Sequence, residues 1–131
     1  MTSVYSQFKD TTQKTRIALL IDPDECSKEN LKGRLAIANE TNVNFVFLGG
    51  SLVTQSHLDD CIAWIKSETD IPLVLFPGND SHISPNADAV LLLSLISGRN
   101  ADLLIGKHVQ SAPIIRQFGL EPISTGYMLI E

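Results

Sequence analysis

The 131-residue sequence has no basic run. Its 10 Lys and Arg are scattered among 15 Asp and Glu, and the net charge is −5. Sequence-independent binding of nucleic acid needs a basic stripe that displaces counterions, so no nucleic-acid partner is expected. Long apolar runs are also missing. None is longer than Ala89–Leu93, which resumes after Ser94 at Leu95-Ile96, whereas a membrane-spanning helix takes about 20 apolar residues. The opening Met1-Thr2-Ser3-Val4-Tyr5 has neither the basic nor the apolar region of a secretory signal. There are only two cysteines, Cys26 and Cys61. They make no disulfide framework and read as reduced thiols, which places the protein in the cytoplasm. No Ser/His/Asp or Cys/His arrangement, Cys-x-x-Cys pair, Walker loop or G-x-G-x-x-G occurs, which removes the sequence warrant for those chemistries. No linker or low-complexity segment divides the chain, so residues 1–131 are expected to form a single domain.

What is present is an alternation of short apolar runs with helical stretches. Arg16–Ile21, Val43–Leu48, Ile71–Phe76, Ala89–Leu93 and Gly126–Ile130 are runs bounded by turn residues or by the last residue, as strands buried on both faces are. Ser27 is placed to cap a helix over Lys28–Glu40, with Leu31, Leu35 and Ala38 on one face. Leu58, Cys61, Ile62 and Ile65 form an amphipathic stripe, with Thr54 or Ser56 as cap and Trp64 packing beside it. Asn100 can cap a helix to about Gln110. Pro113 is read as opening a second helical piece that Gly119 closes. Ser81–Asn86 reads as a short turn, and the first 15 residues as a leading helix.

This β-α-β-α-β-β-α-β order implies a parallel sheet of α/β class. An open doubly wound sheet and a (β/α)8 barrel both satisfy it. A whole barrel takes about 200–250 residues and eight strands, so a barrel reading makes this chain an incomplete one, of about five units, with apolar strand edges that invite association.

In both folds ligands bind at the C-terminal ends of the strands. Asp22-Pro23-Asp24-Glu25 follows the first strand. Its crowded carboxylates suit either a hard divalent cation such as Mg2+ or a plain solvated turn. Gly49-Gly50-Ser51 follows the second, where glycines permit close approach of a ligand and Ser51 offers a hydroxyl; an ordinary turn reads the same way. Phe76-Pro77-Gly78-Asn79 follows the third strand and starts a polar loop, suited to a mobile lid, to a diphosphate contact or to a plain turn. Arg99, the only arginine in these loops, is a candidate anion contact or a surface residue. His108 is expected to be structural, and His57 and His82 to face solvent.

As an ordered set, LLIDPD, FLGGS, LVLFPGN, Ile83-Ser84 with Ala87-Asp88-Ala89, SLISGRN, LIGKHV and the closing Gly-Tyr-x-x-x-Glu resemble the geranylgeranylglyceryl phosphate synthases and their bacterial prenylglyceryl phosphate synthase relatives, from about Arg16 to Glu131. The resemblance implies a TIM-barrel prenyltransferase. Such an enzyme joins sn-glycerol 1-phosphate to a prenyl diphosphate of geranylgeranyl type, with Mg2+, to make an ether lipid precursor. It also implies that Asp22 and Ser51 are metal ligands and that Glu131, with Tyr127 beside it, is the catalytic carboxylate facing the glycerol hydroxyls. Gly49, Gly50, Gly78, Asn79 and Arg99 are then substrate-binding. Some branches carry a lysine two residues before the first aspartate, where this chain has Leu20. A homo-oligomer that touches a membrane surface to release product is expected. The glycine-rich phosphate loops of the family's later strands are not among these residues. An inactive truncated fragment of such an enzyme, or an open-sheet module binding a phosphate ligand, is therefore the alternative.

Overall fold

The computed structural model describes residues 3–49, 55–78 and 82–130. Five strands form one sheet: β1 (Ala18–Ile21), β2 (Phe45–Leu48), β3 (Leu73–Leu75), β4 (Ala89–Leu95) and β5 (Glu121–Tyr127). All neighbours are parallel and the spatial order is β1-β2-β3-β4-β5. A doubly wound sheet reverses its strand order at a switch point. Here each strand lies beside the next, as staves of a TIM-type barrel do, and the open-sheet alternative is set aside.

Side-chain alternation along the strands assigns the two faces. Val46, Leu48, Leu73, Leu75 and Val90 point outward, where α2 (Lys28–Glu40) and α3 (Gln55–Glu68) cover them. The expected stripes meet here: Leu31, Leu35 and Ala38 of α2, and Leu58, Cys61, Ile62 and Ile65 of α3, are all buried. Ser27 accepts from the Asn30 N–H at 3.3 Å as the N-cap of α2. Each large apolar side chain fully buried in this layer stabilises the fold by about 1.5–3 kcal/mol. Trp64 packs against the same cluster, with Lys28 Nζ 5.9 Å from its ring centre.

The other face carries Phe45, Val74, Ala89, Leu91 and Ile123. A six-residue helix, α1 (Val4–Lys9), lies on it. So short a helix is not stable alone. It is held by burial of Val4, by Phe8 stacked on Phe45 at 4.1 Å, and by the Glu121 carboxylate, which accepts from the Val4 and Tyr5 N–H groups at 2.8 and 3.1 Å. Glu121, Ala89 and Phe45 all begin their strands, so α1 closes the N-terminal end of the sheet and leaves the C-terminal end open.

Several expectations are corrected. The fifth strand is not Gly126–Ile130. It pairs with β4 from Ala89↔Glu121 to Leu95↔Tyr127, and Met128, Leu129 and Ile130 run past the end of β4 and are exposed. Its sequence, EPISTGY, buries only Ile123. The fourth strand runs two residues beyond Leu93. β3 starts at Leu73 rather than Ile71, because Pro72 has no N–H to give a ladder. The Leu73 N–H donates instead to Asp88 at 2.8 Å. Pro113 does not open a helix; it lies inside α4 (Lys107–Phe118), which follows directly on a π-helical turn, Asp102–Gly106. Gly119 closes α4 as expected, at φ 64°. His82 is buried, and His57 is half-buried with Nε2 2.6 Å from the Pro23 carbonyl oxygen; neither faces solvent.

Candidate functional site

The ladders set where each strand-end residue lies. Ile21 pairs with Leu48, and Leu48 with Leu75. The next residues, Asp22, Gly49 and Phe76, therefore sit at one level on adjacent strands. Leu75 pairs with Val90, so β4 and β5 continue five residues further, about 16 Å at strand rise, and form a taller wall on one side of the open end.

Asp22 is half-buried and leads a 3-10 turn over Pro23–Glu25. One carboxylate oxygen, Oδ1, accepts from the Asp24 N–H at 3.0 Å. The turn reading of Asp22-Pro23-Asp24-Glu25 is thus realised, and it leaves the other oxygen of Asp22 with no hydrogen bond among the described residues. Asp24 and Glu25 are exposed, and Glu25 lies 3.9 Å from Arg34 in a loose surface pair. Among the described residues no three His, Cys, Asp or Glu gather as a metal cage. A hard ion that takes one or two protein carboxylates and fills its shell with water and phosphate oxygens fits Asp22 in this setting.

At Gly49, a Cβ would lie 1.9 Å from the Phe76 carbonyl oxygen. The missing side chain therefore serves the approach of β3 to β2, whatever it also does for a ligand. Gly78 is exposed after β3, and Arg99 is exposed after β4 with no ion pair among the described residues. Tyr127 ends β5, 37% exposed, its ring edge-on to Phe76 at 5.9 Å. Asp22, Gly49, Gly78, Arg99 and Tyr127 thus all occupy the C-terminal end of the sheet. Gly50, Ser51, Asn79 and Glu131 lie outside the described residues, as does Thr54.

Beside this end a cavity of about 310 Å3 opens between β4 and the π turn with α4. Leu92, Leu103 and Ile115 wall it, and Phe76 and Tyr127 border it. Two of its polar lining residues are spent on backbone, His108 with Nε2 2.6 Å from the Leu93 oxygen and Ser111 with its hydroxyl donating to the Lys107 oxygen at 2.6 Å, and Lys107 adds a cation. What the cavity offers a ligand is chiefly hydrocarbon. His108 has the structural role its sequence position suggests. Leu92, Leu103 and Ile115 carry no sequence signal for a site, since their spacing is that of ordinary core.

Known proteins share this frame. The PcrB family profile matches residues 10–131. A geranylgeranylglyceryl phosphate synthase of Chitinophaga pinensis is 49% identical over 130 residues, covering 98% of this chain and 52% of its own length. One of Flavobacterium johnsoniae is 45% identical over 133 residues, covering 100% and 55%. The crystal structure of (S)-3-O-geranylgeranylglyceryl phosphate synthase from Thermoplasma acidophilum, in complex with sn-glycerol-1-phosphate, superposes with a TM-score of 0.90 at 27% identity, over 100% of this chain and 54% of that one. The chain spans about half the length of the curated relatives it matches.

Proposed function

The chain belongs to the PcrB family, and from that premise we propose that it is the N-terminal portion of a (β/α)8 prenyltransferase that joins sn-glycerol 1-phosphate to a prenyl diphosphate. The observation that carries this reading is the apolar cavity opening beside a polar strand-end rim. A reactant with a hydrocarbon tail and a charged head needs both at once. The sn-glycerol-1-phosphate held by the Thermoplasma acidophilum relative supports the identity of the acceptor.

In the proposed reaction the C1–O bond of the prenyl diphosphate breaks and an ether bond forms to the glycerol C3 oxygen. The diphosphate leaves, and the hydroxyl proton passes to Glu131. Asp22 would hold Mg2+ with the oxygen that Asp24 does not occupy, and Ser51 would add a hydroxyl. When bound, the ion neutralises the diphosphate leaving group. Gly49, Gly50, Gly78 and Asn79 let the backbone approach the diphosphate, and Arg99 meets an anionic oxygen. Glu131 accepts from the glycerol hydroxyls and orients the attacking oxygen, with Tyr127 alongside. The wall of Leu92, Leu103 and Ile115 takes the tail away from water.

We assign the protein to the cytoplasm as a homo-oligomer. No helix among the described residues is long and apolar enough to cross a membrane, and Ile105 and Val109, exposed at 66% and 73%, offer apolar contacts to another copy. Contact with a membrane surface at product release follows from the apolar product.

The test is turnover by the protein from its natural source with sn-glycerol 1-phosphate, labelled geranylgeranyl diphosphate and Mg2+. An ether-linked, apolar product that requires both substrates is expected. Label remaining wholly as diphosphate or as free prenol would overturn the assignment.

A further inference from the structure

We infer that Cys26 and Cys61 form an internal disulfide site, a pair that a small peroxide oxidises and that ties the turn after β1 to α3. Cys26 caps the 3-10 turn, its N–H donating to the Pro23 oxygen at 3.2 Å. Cys61 reaches the same oxygen from α3, with Sγ at 3.8 Å. His57, one turn earlier on α3, puts Nε2 2.6 Å from that oxygen and 3.8 Å from the Cys61 sulfur. With a carbonyl as partner that nitrogen must carry its proton. One carbonyl thus gathers the Cys26 backbone, the Cys61 sulfur and the histidine, and both cysteines lie in one buried cluster. Nothing in the proposed transfer reaction uses them.

The two sulfurs are not equivalent. Cys61 is fully enclosed, whereas Cys26 keeps 7% of its surface open. The hydrogen bond from Cys61 favours a charged sulfur at Cys26 and holds that thiol below its ordinary range. The Cys61 thiol is pushed up, first by the same bond and then by burial and by the charges of Cys26, Asp60 and Asp24. The thiolate is the nucleophile, so Cys26 reacts first. Its sulfur attacks one oxygen of hydrogen peroxide, the O–O bond breaks and water leaves, giving a sulfenic acid. The Cys61 sulfur then attacks the Cys26 sulfur. The S–O bond breaks, and a second water carries away the Cys61 proton. Two thiols and one peroxide become one disulfide and two waters, and a dithiol reductant reverses the change.

The bond would join two segments with a bearing on the site. The turn begins at Asp22, and α3 follows directly on residues 51–54. That consequence rests on the proposed function, but formation of the disulfide does not.

The test uses the whole chain under native conditions. It is treated with hydrogen peroxide, then denatured, alkylated and weighed. Loss of the mass of two hydrogen atoms is expected, with no alkylation and with full reversal by dithiothreitol. Tryptic digestion should yield Ile17–Lys28 linked to Leu35–Lys66 within one chain. In Cys61→Ser, Cys26 should stop at a sulfenic acid that dimedone traps. Two alkylatable thiols after peroxide has oxidised glutathione in the same tube, oxygen added without a cross-link, or a link between two chains would each overturn the inference. The wild-type masses decide the matter even if a variant fails to fold, and loss of prenyl transfer does not move them.

Discussion

Asp22 has two roles, and substitution separates them. Its Oδ1 caps the turn through the Asp24 N–H, and its other oxygen is the proposed metal ligand. Asparagine caps about as well as aspartate but brings no charge. Asp22→Asn is therefore expected to leave the stability within about 0.5 kcal/mol of wild type while lowering Mg2+-dependent turnover about 100-fold or more. Asp22→Ala should lose turnover equally and about 1 kcal/mol of stability as well. Melting curves beside turnover over a Mg2+ titration distinguish these outcomes. Ser51→Ala should cost less, since water replaces a neutral ligand. Glu131 calls for a different measurement. A carboxylate accepts from hydroxyls and repels phosphates, so Glu131→Gln should weaken sn-glycerol 1-phosphate binding far more than prenyl diphosphate binding. Equal losses in separate titrations would contradict its role.

At the scale of elements, close approach of two strands and one misplaced ring can be tested. A Cβ on Gly49 would meet the Phe76 carbonyl oxygen at 1.9 Å, and that oxygen is backbone. Because the chain must move to admit it, Gly49→Ala should destabilise the fold by about 1–3 kcal/mol, read as a lower urea midpoint at unchanged m-value. Pro113 acts in the opposite sense. It lies inside α4 and leaves the Val109 carbonyl without its helical partner. Pro113→Ala restores that bond and is expected to stabilise by about 1 kcal/mol, the helix gain being partly offset by a freer unfolded chain. A rise in thermal midpoint checks it.

For the whole molecule, the geometry of the sheet decides. β1 and β5 each pair on one side only among the described residues. Leu20 is 59% exposed at one edge, and Met128, Leu129 and Ile130 are exposed beyond the other. Apolar edges of a parallel sheet template further pairing. These 131 residues expressed alone are expected to sediment as oligomers and to turn over no sn-glycerol 1-phosphate. A monodisperse monomer with turnover comparable to the natural protein's would show that five strands already close a site.

Local patterning makes much of this molecule legible in the amino-acid order. Leu31, Leu35 and Ala38, and then Leu58, Cys61, Ile62 and Ile65, recur at helical spacing, and each is buried where that spacing puts it. Ser27 and Gly119 end their helices through bonds and a dihedral that reach only a few residues. The ends of β1, β2 and β3 are marked by Asp22, Gly49 and Pro77, which is why Asp22, Gly49 and Gly78 could be placed at one end of the sheet. Long-range pairing settled the rest. The apolar GYMLI reads as a strand, yet β5 is the more polar EPISTGY, because the register from Ala89↔Glu121 exhausts β4 at Tyr127. Glu121 is a surface residue by pattern, and its carboxylate anchors a helix 116 and 117 residues earlier in the chain. Leu92 and Ile115 belong to the core layer as they look, and with Leu103 they also wall a cavity. Cys26 and Cys61 look like isolated thiols until the Pro23 oxygen brings them together. Periodicity and caps are short-range and leave a trace in neighbouring residues, whereas register, cavities and side-chain meetings depend on segments far apart in the chain and leave none.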